Sequence, residues 1–124
     1  QAMKLKLFQT DQSAQTLVVT PNFDGRAFRY QELQVEVNAI RSQLLKAGPV
    51  HLVVDLSHMD YIGSEFIGAV ISMLRETKSR GGRACFCSAR PQTIDVLKSA
   101  GLFQLWPHFE TREAALNSFP VATS

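Results

Sequence analysis

The arrangement of apolar and polar residues changes abruptly in the middle of the chain. Residues 50–56, VHLVVDL, form a nearly continuous apolar run, which is typical of a strand covered on both faces of a sheet. From residue 66 to residue 74 the apolar side chains recur at intervals of three and four, which predicts a helix with one buried face. Ser64 lies between the two segments, so we expect its hydroxyl group where the strand turns into the helix.

The residues before this segment predict a hairpin followed by a helix. Residues 4–9 alternate and residues 16–20 are rich in β-branched side chains, so we predict two strands at the sheet edge, joined by a polar turn at residues 10–13. Four apolar residues share one helical stripe: Leu33, Val37, Ile40 and Leu44. We therefore expect a first helix over residues 30–47, ended by the glycine and proline that follow it.

The C-terminal half continues to alternate between strand and helix patterns. Two glycines stop the second helix, and residues 83–88 then predict another strand. Pro91 suits the first turn of a third helix, which Gly101 ends. Residues 102–106 predict a short strand or a loop, and residues 111–119 predict a final helix that opens at a threonine.

Strands that alternate with helices after an initial hairpin indicate an α/β domain with a mixed, partly parallel sheet. A chain of 124 residues with 45% hydrophobic content is sufficient for one domain with an ordinary core. We assign the domain to residues 3–121 and interpret Gln1 and Ala2, which precede a methionine, as a remnant outside it. Periodicity leaves open whether helices cover one side of the sheet or both, as in a flavodoxin-like arrangement.

The charge of the chain is nearly balanced. Thirteen basic and 11 acidic side chains give a net charge of +2, which does not indicate a nucleic-acid partner or a membrane surface. No apolar run reaches the roughly 18 residues of a spanning helix, and the N-terminus lacks the pattern of a secretory signal. We expect a cytoplasmic protein with no membrane insertion.

The cysteines and histidines give no sign of a metal or cofactor site. Cys85 and Cys87 lie on one face of the same predicted strand, about 6.6 Å apart at ~3.3 Å per residue, which is poor geometry for a disulfide. We expect two free, buried thiols. His51, His58 and His108 show no spacing typical of zinc ligands, so we predict no bound metal and no cofactor.

Short motifs surround the junction and continue towards the C-terminus. They are Asp55-Leu56-Ser57, Tyr61-Ile62-Gly63-Ser64, Ile67-Gly68, Gly81-Gly82 and Ser99-Ala100-Gly101-Leu102-Phe103. Together they resemble the STAS domain of bacterial anti-sigma factor antagonists over nearly the whole chain. The resemblance implies a small mixed sheet with about four helices packed mainly on one side. It also implies a regulatory module that binds proteins and catalyses no reaction.

The resemblance further implies a phosphorylation switch and two partners. In the family, an anti-sigma factor serine kinase phosphorylates the first serine of an Asp-Ser-Ser-Gly tetrad, and a metal-dependent serine phosphatase removes the phosphate. That serine corresponds to Ser64, whereas Gly63, Glu65 and Phe66 replace the other three residues of the tetrad. The expected partner-binding residues are Gly63, Ser64, Glu65, Ile67, Gly68 and Asp60.

The residues alone also allow simpler roles at this site. Ser64 has the position of an N-cap that accepts a backbone hydrogen bond, and Asp60 has that of a solvated turn residue. Because the tetrad is altered, a phosphate-independent interaction or scaffold module is an alternative function. A ligand-sensing or transport-associated STAS role is another.

An enzyme is not indicated. Ser64 lacks the Gly-x-Ser-x-Gly frame of a hydrolase, since Ile62 and Phe66 occupy the outer positions. The glycines at 81 and 82 are not followed by the Lys-Ser/Thr pair of a phosphate-binding loop. Four basic residues near the end of the second helix favour a solvated helix end, with a basic docking face as the alternative: Arg75, Lys78, Arg80 and Arg83.

Overall fold

In the computed structural model, which describes residues 4–46 and 50–120, the chain forms a five-stranded sheet and four helices. The elements in chain order are β1 (Phe8–Ser13), β2 (Thr16–Pro21), α1 (Tyr30–Leu45), β3 (His51–Asp55), α2 (Ser64–Ser79), β4 (Ala84–Cys87), α3 (Pro91–Ser99), a 3₁₀ turn (Leu102–Gln104), β5 (His108–Phe109) and α4 (Arg112–Asn117). The strands lie in sequence order. β1 is antiparallel to β2, and the other neighbouring strands are parallel, so the predicted mixed sheet is confirmed.

The central strand β3 is covered on both faces, as its apolar run predicts. Leu52 and Val54 join the larger core cluster, which the inner faces of α1 and α2 complete. Val53 points to the opposite face and packs in a smaller cluster with Ala115 of α4. Because α4 is the only helix of the described residues on that second face, the described helices lie mainly on one side of the sheet.

The N-terminal hairpin differs from the sequence-based prediction. The predicted strand over residues 4–9 and turn over residues 10–13 are wrong, since β1 runs through residue 13 and the chain reverses at Ala14, which has a φ of +52°. The backbone N–H groups of Lys6 and Leu7 donate to the carboxylate of Glu36 at 2.8 Å each. These bonds hold residues 6 and 7 on α1, so the strand begins only at residue 8.

Two further elements differ in their bounds from the prediction, and a third predicted boundary lies outside the described residues. Residues 102–106 contain a 3₁₀ turn, and the predicted strand lies two residues beyond them, at β5. α4 ends at residue 117 instead of 119, because Phe119 stacks on His51 with ring centroids 4.6 Å apart. α1 ends at residue 45, and the predicted end at residue 47 lies outside the described residues, as do the domain limits at 3 and 121.

The two cysteines are free and buried, as predicted. Cys85 and Cys87 are each at most 1% exposed and belong to the smaller core cluster. Burial raises the pKa of Cys85 to about 12 and that of Cys87 to about 11. The reactive thiolate form is therefore scarce at neutral pH, and both side chains behave as small apolar residues.

Candidate functional site

Asp55, the last residue of β3, anchors the connection from β3 to α2. This buried carboxylate accepts the backbone N–H of Ser57 at 3.0 Å and forms an ion pair with Arg112 of α4, also at 3.0 Å. Met59 and Ile62 are buried and fix the middle of the loop in the core. The loop therefore has a defined path, and Ser64 lies at the surface beyond the carboxyl end of β3.

Ser64 is the first residue of α2 and is exposed. Gly63 occupies the N-cap position, and its carbonyl oxygen accepts the first helical hydrogen bond from Ile67 at 3.0 Å. The expectation that Ser64 is the N-cap is therefore wrong, and the N-cap residue makes no side-chain hydrogen bond. The first N–H groups of a helix lack partners within it and carry the positive end of its dipole, so the Ser64 hydroxyl lies in a positive field.

The residues predicted to bind a partner lie on one stretch of surface. Glu65 and Gly68 are exposed, whereas Gly63 and Ile67 are half-buried. A Cβ atom added to Gly68 would meet no atom within 4 Å, so the helix presents open backbone there. The buried Phe66 packs edge to face against a second phenylalanine and fixes the rotation of the helix. Within residues 63–68, the buried Phe66 therefore anchors the helix, and the other five residues form an accessible or partly accessible face.

Asp60 is exposed but has a specific partner. Its carboxylate pairs with the guanidinium of Arg90, which also donates to the carbonyl oxygen of Ser57 at 3.0 Å. Arg90 is the N-cap residue of α3, so this cluster ties the start of α3 to the loop before α2. Sequence reasoning missed Arg90 because 30 residues separate it from Asp60 and no local pattern links them.

A cleft of about 340 Å³ opens beside Ser64, and Arg26 lies in its wall. The guanidinium carbon of Arg26 is 4.5 Å from the ring centroid of Tyr61, which is the range of a cation–π contact. A Cβ atom at Gly25 would lie 2.0 Å from the Tyr61 carbonyl oxygen, so only glycine allows the two loops to approach this closely. Ser64 and Glu65 also line the cleft, so one cationic and one anionic side chain share it with the hydroxyl.

Residues 4–46 and 50–120 contain no cluster of side chains arranged to bind a metal ion. Three or more histidine, cysteine or acidic residues do not come together there in a way that could hold a metal ion. His51 accepts the backbone N–H of Arg83 at Nδ1, and His108 accepts that of Ala89 at Nε2, both at 3.0 Å. Burial lowers the pKa of both histidines, and for His51 the nearby Arg83 charge adds to this effect. Both rings therefore serve as neutral acceptors within the fold.

None of the helices formed by residues 4–46 and 50–120 is long and apolar enough to span a membrane.

Comparison with known proteins identifies the family. The model of the STAS domain matches residues 26–115, which include Arg26, the Ser64 junction and most of α4. The chain belongs to the STAS domain family. The resemblance seen in the sequence motifs is therefore confirmed, together with the fold that it implied.

One relative found by sequence and two solved structures illustrate the similarity. BtrV of Bordetella bronchiseptica, named as a candidate anti-sigma factor antagonist, is 28% identical over 98 residues, covering 73% of this chain and 84% of BtrV. An anti-sigma-factor antagonist (STAS) domain protein from Planctomyces limnophilus superposes with a TM-score of 0.74 at 23% identity, covering 90% of this chain and 96% of that one. Bacillus SpoIIAA in its phosphorylated form superposes with a TM-score of 0.71 at 18% identity, with coverages of 90% and 97%. These two structural matches support the fold.

Proposed function

We propose that this chain is a regulatory protein-binding module of the anti-sigma factor antagonist type, in which phosphorylation of Ser64 controls partner binding. The partner surface consists of the start of α2 and the adjoining loop: Asp60, Gly63, Ser64, Glu65, Ile67 and Gly68. A serine kinase of the anti-sigma type is the expected partner, and a metal-dependent serine phosphatase is expected to reverse the mark. Antagonist relatives and the shared fold support this class of function.

The observation that carries the proposal is the state of the Ser64 hydroxyl. It is exposed at the first residue of α2, and none of the side-chain hydrogen bonds found among the described residues involves it. The other two serines of the helix behave differently. Ser72 donates to the carbonyl oxygen of Ala69 at 2.6 Å, and Ser79 donates to that of Glu76 at 2.8 Å. Ser64 is therefore the α2 serine whose hydroxyl is available to react.

The Ser64 hydroxyl is accessible to a kinase, and the charges around it would also favour a phosphate there. Phosphorylation adds nearly two negative charges, which the helix N-terminus and the nearby Arg26 would partly offset. The γ-phosphoryl group of ATP moves to Oγ, ADP leaves, and the hydroxyl proton passes to a base of the kinase. Hydrolysis by the phosphatase returns the hydroxyl and releases inorganic phosphate. The new charge lies within the surface that the partner contacts, so bound partner is released by repulsion and by lost fit.

Phosphorylation by an anti-sigma-type serine kinase from the same genome tests the site. After incubation with this kinase and ATP, mass spectrometry is expected to find a single phosphate, on Ser64. Ser64→Ala should abolish the modification, and Ser72→Ala, on the same helix, should leave it unchanged. Phosphate on Ser57 or Ser72, or phosphate that persists in Ser64→Ala, contradicts the assignment.

The altered tetrad favours one second candidate, a STAS interaction module that never exchanges phosphate. Glu65 places a permanent carboxylate where the family has a serine, so the surface carries part of a phosphate's charge at all times. In that case the partner binds the same residues, but kinase and ATP leave the chain unmodified. Gly68→Arg tests the binding surface alone, because it should weaken partner binding under either function. The kinase assay then decides whether Ser64 is phosphorylated.

A further inference from the structure

A second groove lies at the other end of α2, far from Ser64. It is bordered by the last turn of α2, the start of β4, the segment before β5 and the residues after α4, and we call it the distal groove. Its lining includes Lys78, Arg83, Leu105, Trp106, Phe109 and Phe119. The volume is about 360 Å³, within the range of roughly 300–1,000 Å³ that small-molecule sites occupy.

The walls of the distal groove are aromatic and fixed in place. Trp106 is 5% exposed and belongs to the larger core cluster. Phe119 stacks on His51 at an interplanar angle of 9°, and the His51 ring is itself oriented by the backbone N–H of Arg83. Leu105 lines the groove and is 62% exposed, so its side chain adds accessible apolar surface there. The groove therefore offers a preformed apolar surface that no other element of the described chain covers.

The charged groups of the distal groove all have the same sign. Lys78 and Arg83 are exposed, and neither takes part in any ion pair formed among the described residues. No acidic side chain is in the lining. Arg80 differs from them, because it extends to the carbonyl oxygen of Leu45 at 3.3 Å. Two of the four cations in the basic cluster at the end of α2 thus border one apolar groove.

We infer that the distal groove binds a small molecule with an aromatic or bulky apolar body and a carboxylate group. The ring would lie against Trp106, Phe109 and Phe119, and the carboxylate would face Lys78 and Arg83. The inference is independent of the function proposed for Ser64, because the two sites lie at opposite ends of a helix of 16 residues. It assigns to this chain a ligand site of its own in addition to the protein-binding surface.

Trp106 provides a direct measurement, because it is the single tryptophan of the chain. In an NMR titration of the full ¹⁵N-labelled chain, 1-naphthylacetate is the probe and 1-naphthylacetamide is its uncharged counterpart. We expect the acid to shift the Trp106 indole resonance in a saturable manner. The amide, which keeps the ring and loses the charge, should bind about fivefold or more weakly.

Substitution of the basic residues measures how much their charge contributes to binding of the acid, apart from the apolar contact. Arg83→Gln should weaken binding of the acid about fivefold, and combined Lys78→Gln and Arg83→Gln should remove the preference for acid over amide. Arg75→Gln, elsewhere on α2, is the matched control and should leave both affinities unchanged. Equal affinity for acid and amide in the wild type, or no saturable shift at Trp106, overturns the inference. A chain ending at Pro120 provides a further test: if the indole resonance of the full chain already has the probe-bound position and truncation moves it away, the chain's own C-terminal residues fill the groove and the inference is wrong.

Discussion

At the scale of single residues, Glu65 is the side chain that most affects the proposed switch. Its carboxylate lies in the first turn of α2, next to the reactive hydroxyl. There it interacts favourably with the helix dipole, but it repels an incoming phosphate by about 1–3 kcal/mol per charge pair at ~6 Å. The same side chain therefore stabilises the helix and opposes the modification.

Replacement of Glu65 should separate these two effects. We expect Glu65→Ser to raise the initial phosphorylation rate by up to about tenfold and to lower stability by about 0.5 kcal/mol. Glu113→Ser is the matched control, since Glu113 is also exposed in the first turn of a helix, α4. It should lose similar stability without any change in rate. A wild type that is phosphorylated faster than Glu65→Ser would refute the repulsion.

Two glycines differ sharply in what a methyl group would meet. At Gly82 an added Cβ would lie 1.6 Å from the Val50 carbonyl oxygen, whereas at Gly68 it would meet nothing within 4 Å. Gly82→Ala should therefore cost about 3 kcal/mol of unfolding free energy through overpacking. Gly68→Ala lies inside a helix and should stabilise by about 0.5–1 kcal/mol. Urea denaturation measures both, and equal effects of the two substitutions would contradict the geometry.

At the scale of elements, Arg112 joins α4 to the strand that leads to the site. It pairs with the buried Asp55 of β3 and donates to Thr20 Oγ1 of β2 at 3.1 Å. Asp55 in turn holds the backbone of Ser57, so α4 acts on the loop before Ser64 through one carboxylate. This contact links the second face of the sheet to the proposed partner surface.

Loss of this contact should cost more than loss of an exposed ion pair. Arg112→Met leaves the Asp55 carboxylate buried without its cation, and we expect about 2–3 kcal/mol of destabilisation in urea denaturation. Arg90→Met removes the exposed pair with Asp60 and should cost about 1 kcal/mol or less. If the two variants are equally stable, the Asp55 contact does not support the fold as described.

At the scale of the whole molecule, two half-buried histidines predict how stability depends on pH. His51 and His108 accept backbone N–H groups, and burial lowers their pKa below the ordinary 6.5. The unfolded chain therefore binds protons first as the pH falls below about 6.5, and stability decreases from there through the folded pKa values. The contribution is fully present above that range.

Amide side chains can replace the acceptor nitrogens without titrating. We expect His51→Asn combined with His108→Gln to reduce the loss of unfolding free energy between about pH 7 and about pH 5. His58→Gln, in the exposed loop after β3, is the control and should retain the wild-type slope. Urea denaturation at several pH values measures the slope, and an unchanged slope in the double variant would show that other groups cause it.

Local patterns predicted much of this molecule, and long-range contacts account for the rest. The apolar run of β3 and the helical stripe of α2 predicted both elements and the position of Ser64, because burial follows from periodicity. The hairpin was misplaced because the Glu36 carboxylate holds residues 6 and 7, a contact that spans 30 residues. Arg26 and Arg90 were missed for the same reason, since their partners Tyr61 and Asp60 are distant in sequence.

In the proposed function, charge on Ser64 controls partner binding at the start of α2. The most direct test of this control is isothermal titration calorimetry of an anti-sigma-type serine kinase against the chain with phosphoserine incorporated at position 64. We expect the affinity to fall by about tenfold or more relative to the unmodified chain, whereas phosphoserine at the exposed position 99 should leave it nearly unchanged. Tight binding by the unmodified chain that persists with phosphoserine at position 64 would contradict the account.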